Sequence, residues 1–211
     1  MNIIFGATNQ RKVDDLKNVI KKLKLDMNVL SMDDIKWDRG EIEENGRTIE
    51  ENSLIKAQAI LDFCKDNNIE YPIITDDAGL FVDSLYGEPG VRTARYADDE
   101  RKENPELPKY QCVIKLLNNL KGLENRDACY RCCVTTMIPN GKYYQVSDDS
   151  YGTIANEIVG ELTKPYFYSV FILNGTNVAF NQLDEKELDN TYRYKALNKT
   201  LKNLGKKNDN K

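Results

Sequence analysis

The sequence predicts an α/β fold: a βα unit near the N-terminus, then a later run of antiparallel strands. Three observations carry this. The 211 residues suffice for one sizeable core, or for two small lobes sharing a sheet. In the first half, short apolar runs such as Ile3-Ile4 and Ile73-Ile74 alternate with segments of helical apolar spacing. After residue 128, strand-like stretches follow one another with turn signals such as Pro139-Asn-Gly141 between them. No internal repeat or linker interrupts the pattern.

Strand 1 covers about residues 2–7, and Ala7-Thr-Asn-Gln-Arg-Lys12 makes its exit. Val13, Leu16, Ile20 and Leu23 recur at helical spacing, and residues 28–31 form a short second strand. From Asp33 to Gly46 the chain is polar and acidic, too irregular for a core element. Thr48-Ile-Glu-Glu51 fits a capping box opening a helix whose core stripe is Leu54, Ala57, Leu61 and Cys64. Asn52 and Lys56, four apart, share a different face of it. The next strand buries Ile73 and Ile74, presents Asp76 and Asp77 where it runs out, and turns at Gly79. Gly87-Glu-Pro-Gly90 is a turn, and a helix spans about 106–120. Strands are expected at 128–137, 142–147, 150–158 and 166–173, and a last helix at 190–204. The domain is expected to span 1–205, with 206–211 as a frayed tail.

The net charge of −4 gives no reason to expect a nucleic-acid partner. No apolar run approaches the roughly 18–20 residues that cross a bilayer, and the N-terminus lacks the cationic and apolar features of a leader. The five cysteines are an odd number, and Cys129, Cys132 and Cys133 crowd together. A Cys-x-x-Cys pair invites a zinc or redox reading, but no second pair exists and the chain has no histidine. Reduced, buried or half-buried thiols in an intracellular, cytoplasmic protein are the expectation. The lack of histidine also excludes Ser-His-Asp and Cys-His catalysis. Any metal must then be held by oxygen, with magnesium the natural candidate.

Adjacent side chains on a strand point opposite ways, so one of Asp76 and Asp77 can face a site while the other braces it. Paired carboxylates suit a hard divalent cation or a positioned water; the plain alternative is a solvated turn. Thr8/Asn9/Lys12, Glu43/Glu44 and Asn52/Lys56 form further polar clusters at element ends or on one helix face. Arg92, Arg95, Lys186 and Arg193 add cations. Each cluster alone reads as a solvated face. Together they are the inventory for a magnesium triphosphate: cations and amides for phosphate oxygens, carboxylates for the metal. The helix N-terminus after strand 1 favours an anion in the same region.

Three segments resemble one family. They are Ala7-Thr-Asn-Gln-Arg-Lys12, Glu44-Asn-Gly-Arg-Thr-Ile-Glu-Glu-Asn-Ser-Leu-Ile-Lys56, and the long run Thr75-Asp-Asp-Ala-Gly-Leu-Phe-Val-Asp-Ser-Leu-Tyr-Gly-Glu-Pro-Gly-Val-Arg-Thr-Ala-Arg-Tyr-Ala97. They are similar to the T-x-N-x-x-K, E-x-G-x-T-F-x-E-N-A-x-x-K and D-D-S-G-L-x-V-D-A-L-x-G-x-P-G-V-x-S-A-R-Y-A motifs of the ITPase/HAM1 family, the RdgB-like non-canonical purine nucleoside triphosphate pyrophosphatases. Arg126-Asp-Ala-Cys-Tyr-Arg-Cys-Cys-Val134 is similar to the family's R-x-A-x-F-x-C-V strand, which supports a structural reading of the cysteines.

The resemblance implies a long twisted mixed sheet with flanking helices forming two lobes around a deep cleft, usually in a homodimer. It implies magnesium-dependent hydrolysis of a purine nucleoside triphosphate to the monophosphate and pyrophosphate, in a pool-cleaning role; manganese is a possible substitute. A nucleotide-binding member with weak or no turnover is the alternative. Carried over residue by residue, Thr8, Asn9, Lys12, Lys56, Arg95 and Lys186 bind phosphate. Glu44 and Asp77 hold the metal, and Asp77 orients or deprotonates the attacking water with Asp76 beside it.

The second half departs from the family where the base is read. In place of G-F-G-Y-D-P-x-F stands Gly160-Glu-Leu-Thr-Lys-Pro-Tyr-Phe-Tyr-Ser-Val-Phe171, and in place of S-H-R stands Thr191-Tyr-Arg193. The expected base-binding residues are therefore Tyr166, Phe167, Tyr168, Tyr192 and Arg193, with altered base selectivity.

Overall fold

The computed structural model describes residues 1–208. By internal packing the chain divides into two compact units. The first comprises Met1–Asp77, Cys132–Asp148 and Tyr192–Lys211; the second comprises Ala78–Arg131 and Asp149–Thr191.

The strands are β1 (Asn2–Phe5), β2 (Asn28–Leu30), β3 (Ile73–Val82), β4 (Pro89–Gly90), β5 (Asp127–Met137), β6 (Tyr143–Ile154) and β7 (Phe171–Leu173). They form one sheet in the order β2-β1-β3-β5-β6-β7, with β4 paired to β3. β1 runs parallel to β2 and β3, with Ile4 opposite Leu30 and Ile73. β4 and β7 run antiparallel to β3 and β6, so the sheet is mixed, as expected.

Helices α1 (Gln10–Lys22) and α2 (Ile49–Asp66) follow the predicted spacing. In α1 the apolar stripe Val13, Leu16, Val19 and Ile20 is buried, and Asn9 caps the first turn by accepting from Arg11 N at 3.0 Å. In α2 the Thr48 side chain accepts from Glu51 N at 3.1 Å. Glu51 reaches back one residue further than a standard box, to Arg47 N at 2.6 Å. Ala57, Ile60, Leu61 and Cys64 of α2 pack with Ile4, Met32, Ile35, Ile73 and Met137 in the core of the first unit. Helix α6 (Tyr192–Asn208) adds Ala196, Leu197, Leu201 and Leu204 to that unit's buried surface. It continues past the expected end near residue 204; residues 209–211 of the expected tail lie outside the described residues.

Several expectations need correction. β3 does not end at the acidic pair or turn at Gly79: it continues to Val82. Gly79 is there for close approach, since a Cβ would stand 2.5 Å from Gly90 O. Residues 142–147 and 150–158 are not two strands; β6 is continuous through Ser147–Ser150. Its acidic step at Asp149 is a cross-strand anchor, accepting from Arg131 Nε and Nη2 at 2.7 Å each. The expected strand 166–173 is a 3₁₀ turn, Tyr166–Ser169, before the short β7. The turn is closed by Tyr168 N donating to Pro165 O at 2.9 Å. The helix expected at 106–120 is α4 (Gln111–Asn119). Two short helices were missed, α3 (Asp98–Glu103) and α5 (Glu185–Leu188); neither has a buried residue to mark it by periodicity.

Candidate functional site

The first unit gathers six of the charged residues singled out from sequence. Asp76 is 1% exposed, whereas Asp77 on the opposite side of β3 is half-buried. The pleat of the strand separates them.

On one side, Asp76 accepts from buried Arg193 Nη1 and lies 3.1 Å from Lys12 Nζ. The Cys132 thiol stands 3.9 Å from the same carboxylate. Burial alone would raise the Asp76 carboxyl, but Arg193, then Lys12 and Lys56, outweigh it and hold Asp76 well below the ordinary carboxylate range. Arg193 also sits 3.9 Å from Asp15 Oδ2, and Tyr194 donates its hydroxyl to Asp15 Oδ1 at 3.1 Å. Burial pulls the Lys12 ammonium down from its usual value, Asp76 opposes this, and the neighbouring cations Arg193 and Lys56 add to it.

On the other side, Asp77 Oδ2 accepts from Asn52 Nδ2 at 3.1 Å and its Oδ1 lies 3.9 Å from Lys56 Nζ. The same ammonium is 3.2 Å from Glu44 Oε2. Burial raises the Asp77 carboxyl above its usual value; Lys56 and the Asn52 bond offset part of this, and the like charge of Glu44 adds to it.

Glu44 and Asp77 thus converge on one positive charge, that of Lys56. Both offer only hard oxygen donors, which fits a small divalent cation that keeps several waters. Among the described residues no three Asp, Glu, Cys or His side chains converge on a point where they could hold a metal. A cation here would therefore complete its shell with water and ligand oxygens. The arrangement as a whole sets cations of the kind that pair with phosphate oxygens beside a half-buried carboxylate.

Thr8 and Asn9 are exposed at the start of α1. The Asn9 carbonyl is engaged as the helix cap. Tyr192 is 2% exposed, with Arg193 over its ring at 5.9 Å. Arg95, Lys186 and Tyr166–Tyr168 belong to the second unit. Arg95 and Lys186 are exposed there, while Phe167 and Tyr168 are buried among aromatics. Tyr168 meets Tyr130 edge-on at 5.4 Å and Phe180 at 4.7 Å, and Phe167 lies 6.3 Å from Tyr96. Of the three, Tyr166 alone keeps a half-exposed ring.

Asp15, Tyr194 and the double role of Asn52 escaped the sequence reading. Asn52 and Lys56 at helical spacing were the available signal; nothing local marked Asp15 as a partner of Arg193. The five cysteines are free thiols, and burial pushes Cys132 up to about 12. Burial raises the other four thiols as well, and among the described residues none joins a cluster that could hold a metal. Among the described residues no helix is long and apolar enough to cross a membrane.

Comparison with known proteins extends the geometry. The family model described as the Ham1 family matches residues 3–203. A dITP/XTP pyrophosphatase of Bacillus subtilis (strain 168) is 32% identical over 204 residues, covering 95% of this chain and 96% of its own. One from Bacillus licheniformis is 34% identical over 201 residues, covering 93% and 94%. The structure of the Staphylococcus aureus Ham1 protein is similar with a TM-score of 0.78 and 25% identity, over 97% of each chain.

Proposed function

The chain belongs to the Ham1 family, and from that premise we propose that it hydrolyses non-canonical purine nucleoside triphosphates, such as those of deoxyinosine and xanthosine, to the monophosphate and pyrophosphate. It is a nucleoside triphosphate pyrophosphatase, a hydrolase of nucleotide metabolism. The observation that carries the reading is the setting of Asp77, held by Asn52 with Lys56 and Glu44 beside it.

In this reading Lys12 and Lys56 bind triphosphate oxygens by charge, with Thr8, Asn9, Arg95 and Lys186 as further phosphate contacts. Asp77 orients the attacking water and accepts its proton. The water oxygen bonds to phosphorus as the bridging P–O bond of the α–β anhydride breaks. Glu44 and Asp77 would hold magnesium, or manganese in its place, which when bound neutralises phosphate charge and polarises the P–O bonds. Asp76 touches cations on its own side of β3, so its part is to hold Lys12 and Arg193 in place. Tyr166 supplies the stacking ring, and Tyr192 and Arg193 stand where the family reads the base edge. The free thiols and the relatives' substrates support a cytoplasmic enzyme, and family resemblance supports a homodimer.

The test is product analysis with inosine, xanthosine, deoxyinosine, adenosine and guanosine triphosphates in magnesium. Pyrophosphate and monophosphate are expected, and excess EDTA abolishes their formation. Orthophosphate as the sole released product, or no turnover of any substrate, overturns the reading.

A further inference from the structure

Asn52 is 1% exposed and engages both ends of its amide. Oδ1 accepts from Gly46 N at 2.8 Å, and Nδ2 donates to Asp77 Oδ2 at 3.1 Å. The orientation is dictated by chemistry: a backbone N–H needs an acceptor and a carboxylate needs a donor, so a flipped amide breaks both bonds. One end therefore grips the segment that carries Glu44, two residues before Gly46, and the other grips Asp77 on β3.

Gly46 is shaped to this contact. A Cβ there would stand 2.6 Å from Asn52 Oδ1 and 2.8 Å from Glu51 Cβ, so a side chain would push the segment off the helix. The next residue is tied as well, Arg47 N donating to Glu51 Oε2 at 2.6 Å. Asn52 itself is rooted by its neighbour. Ser53 Oγ lies 2.8 Å from Thr135 Oγ1, and Thr75 Oγ1 donates to Ser53 O at 2.7 Å. Gln145 Nε2 extends the chain to Thr135 Oγ1 at 2.9 Å and to Glu50 O at 2.8 Å. Rotation of α2 about its axis would break these buried contacts, each costly to leave unmade.

We propose that Asn52 is a positioning residue that couples the Glu44 segment to Asp77. It sets the spacing of the two oxygen donors, and which Asp77 oxygen faces Lys56, before cation or substrate arrives. The proposal rests on the reading of Glu44 and Asp77 as the metal-facing pair. A partner of this kind, acting through the ligands, is worth about 10–100-fold in metal affinity or activity.

The experiment compares the full-length wild type with Asn52→Ala, Gly46→Ala and the double variant, all checked for folding by circular dichroism. Binding of Mn²⁺ is measured by electron paramagnetic resonance, alone and with an α,β-methylene analogue of dITP. Pyrophosphate release from dITP is followed as magnesium is varied. Each single variant should weaken Mn²⁺ binding and raise the half-activating metal concentration by about 10-fold or more. Turnover should fall by a similar factor, with KM at saturating metal changed less than about 3-fold. The double variant should be little worse than either single one, because both break the same link. If Asn52→Ala does not fold, Gly46→Ala, which keeps the Asn52 side chain and pushes the Glu44 segment off it, decides the matter alone. Metal affinity and turnover within about 2-fold of wild type in a folded variant would overturn the proposal, as would a wild type that binds no Mn²⁺ in either condition. A wild type that releases no pyrophosphate, yet binds Mn²⁺ more tightly than the variants, would sink the functional reading and leave the coupling standing.

Discussion

Asp76 and Asp77 are consecutive in β3 yet electrostatically opposite. Arg193 and Lys12 hold the Asp76 carboxyl below its ordinary range, while burial lifts that of Asp77 above it. A buried carboxylate locked to two cations is an anchor. A carboxylate with a raised pKa beside a lysine suits proton transfer.

Asp77→Asn keeps the shape and loses the base, so turnover should fall about 10²-fold or more. Because the carboxyl of Asp77 is raised on folding, its ionised form costs stability at neutral pH and the cost fades as pH falls through that raised value. The variant should therefore melt no lower than wild type at pH 7. In the metal-free protein, NMR titration of the Asp77 carboxyl should show a midpoint above the ordinary 3.8, and Glu44→Gln, by removing a like charge, should move it down. A variant with half the wild-type turnover rules out the role.

Asp76→Asn takes the nearest carboxylate from buried Arg193, which keeps only the more distant Asp15, and from half-buried Lys12, a loss of about 3 kcal/mol. The sign with pH is the reverse of the previous case. A depressed carboxyl stabilises fully above its unfolded value of 3.8, and that contribution is lost as pH falls through the lower folded value. Denaturant titrations should show the full gap between wild type and variant at pH 6 and a shrinking gap below about pH 4. A gap that widens on acidification contradicts the anchor.

Lys12→Ala and Lys56→Ala each remove a charge meant for phosphate. Apparent KM should rise by about 10-fold and turnover should slow, as expected when ground-state and transition-state contacts are lost together. Steady-state kinetics at saturating magnesium checks this, and unchanged constants in both variants would reduce these lysines to counter-ions of Asp76, Asp77 and Glu44.

The base profile should be flatter than is typical for the family. Stacking on a ring such as Tyr166 discriminates poorly among purines, whereas edge hydrogen bonds discriminate strongly. Arg193 is already committed to Asp76, and Tyr192 is neutral where the family has histidine. Measured kcat/KM for inosine triphosphate several hundred-fold above that for both adenosine and guanosine triphosphate would contradict this.

Much of the first unit was legible in the sequence because its signals are local. Thr48 announces a helix start, and apolar spacing announces α1 and α2. Alternation announced that the two aspartates part company. What escaped was set by partners far along the chain. Gly79 looks like a turn until Gly90 is brought against it, and the acidic step of β6 looks like a break until Arg131 arrives. The strand expected at 166–173 opens instead as a 3₁₀ turn, in which Tyr168 packs its ring against Phe180. Arg193 was expected to read a base; its ion pair spans 117 residues, a separation that no spacing rule detects.

That separation also has a consequence for how the chain is made. The first unit is assembled from three stretches of sequence, the last beginning at Tyr192, whereas the second unit is complete at Thr191. During synthesis from the N-terminus, Asp76 leaves the ribosome long before Arg193 does. Until then a carboxylate destined for the interior has lysines, Lys12 and Lys56, but not the arginine that holds it most strongly. The unit that starts first therefore finishes last, and the later one has all its residues while the earlier one still waits.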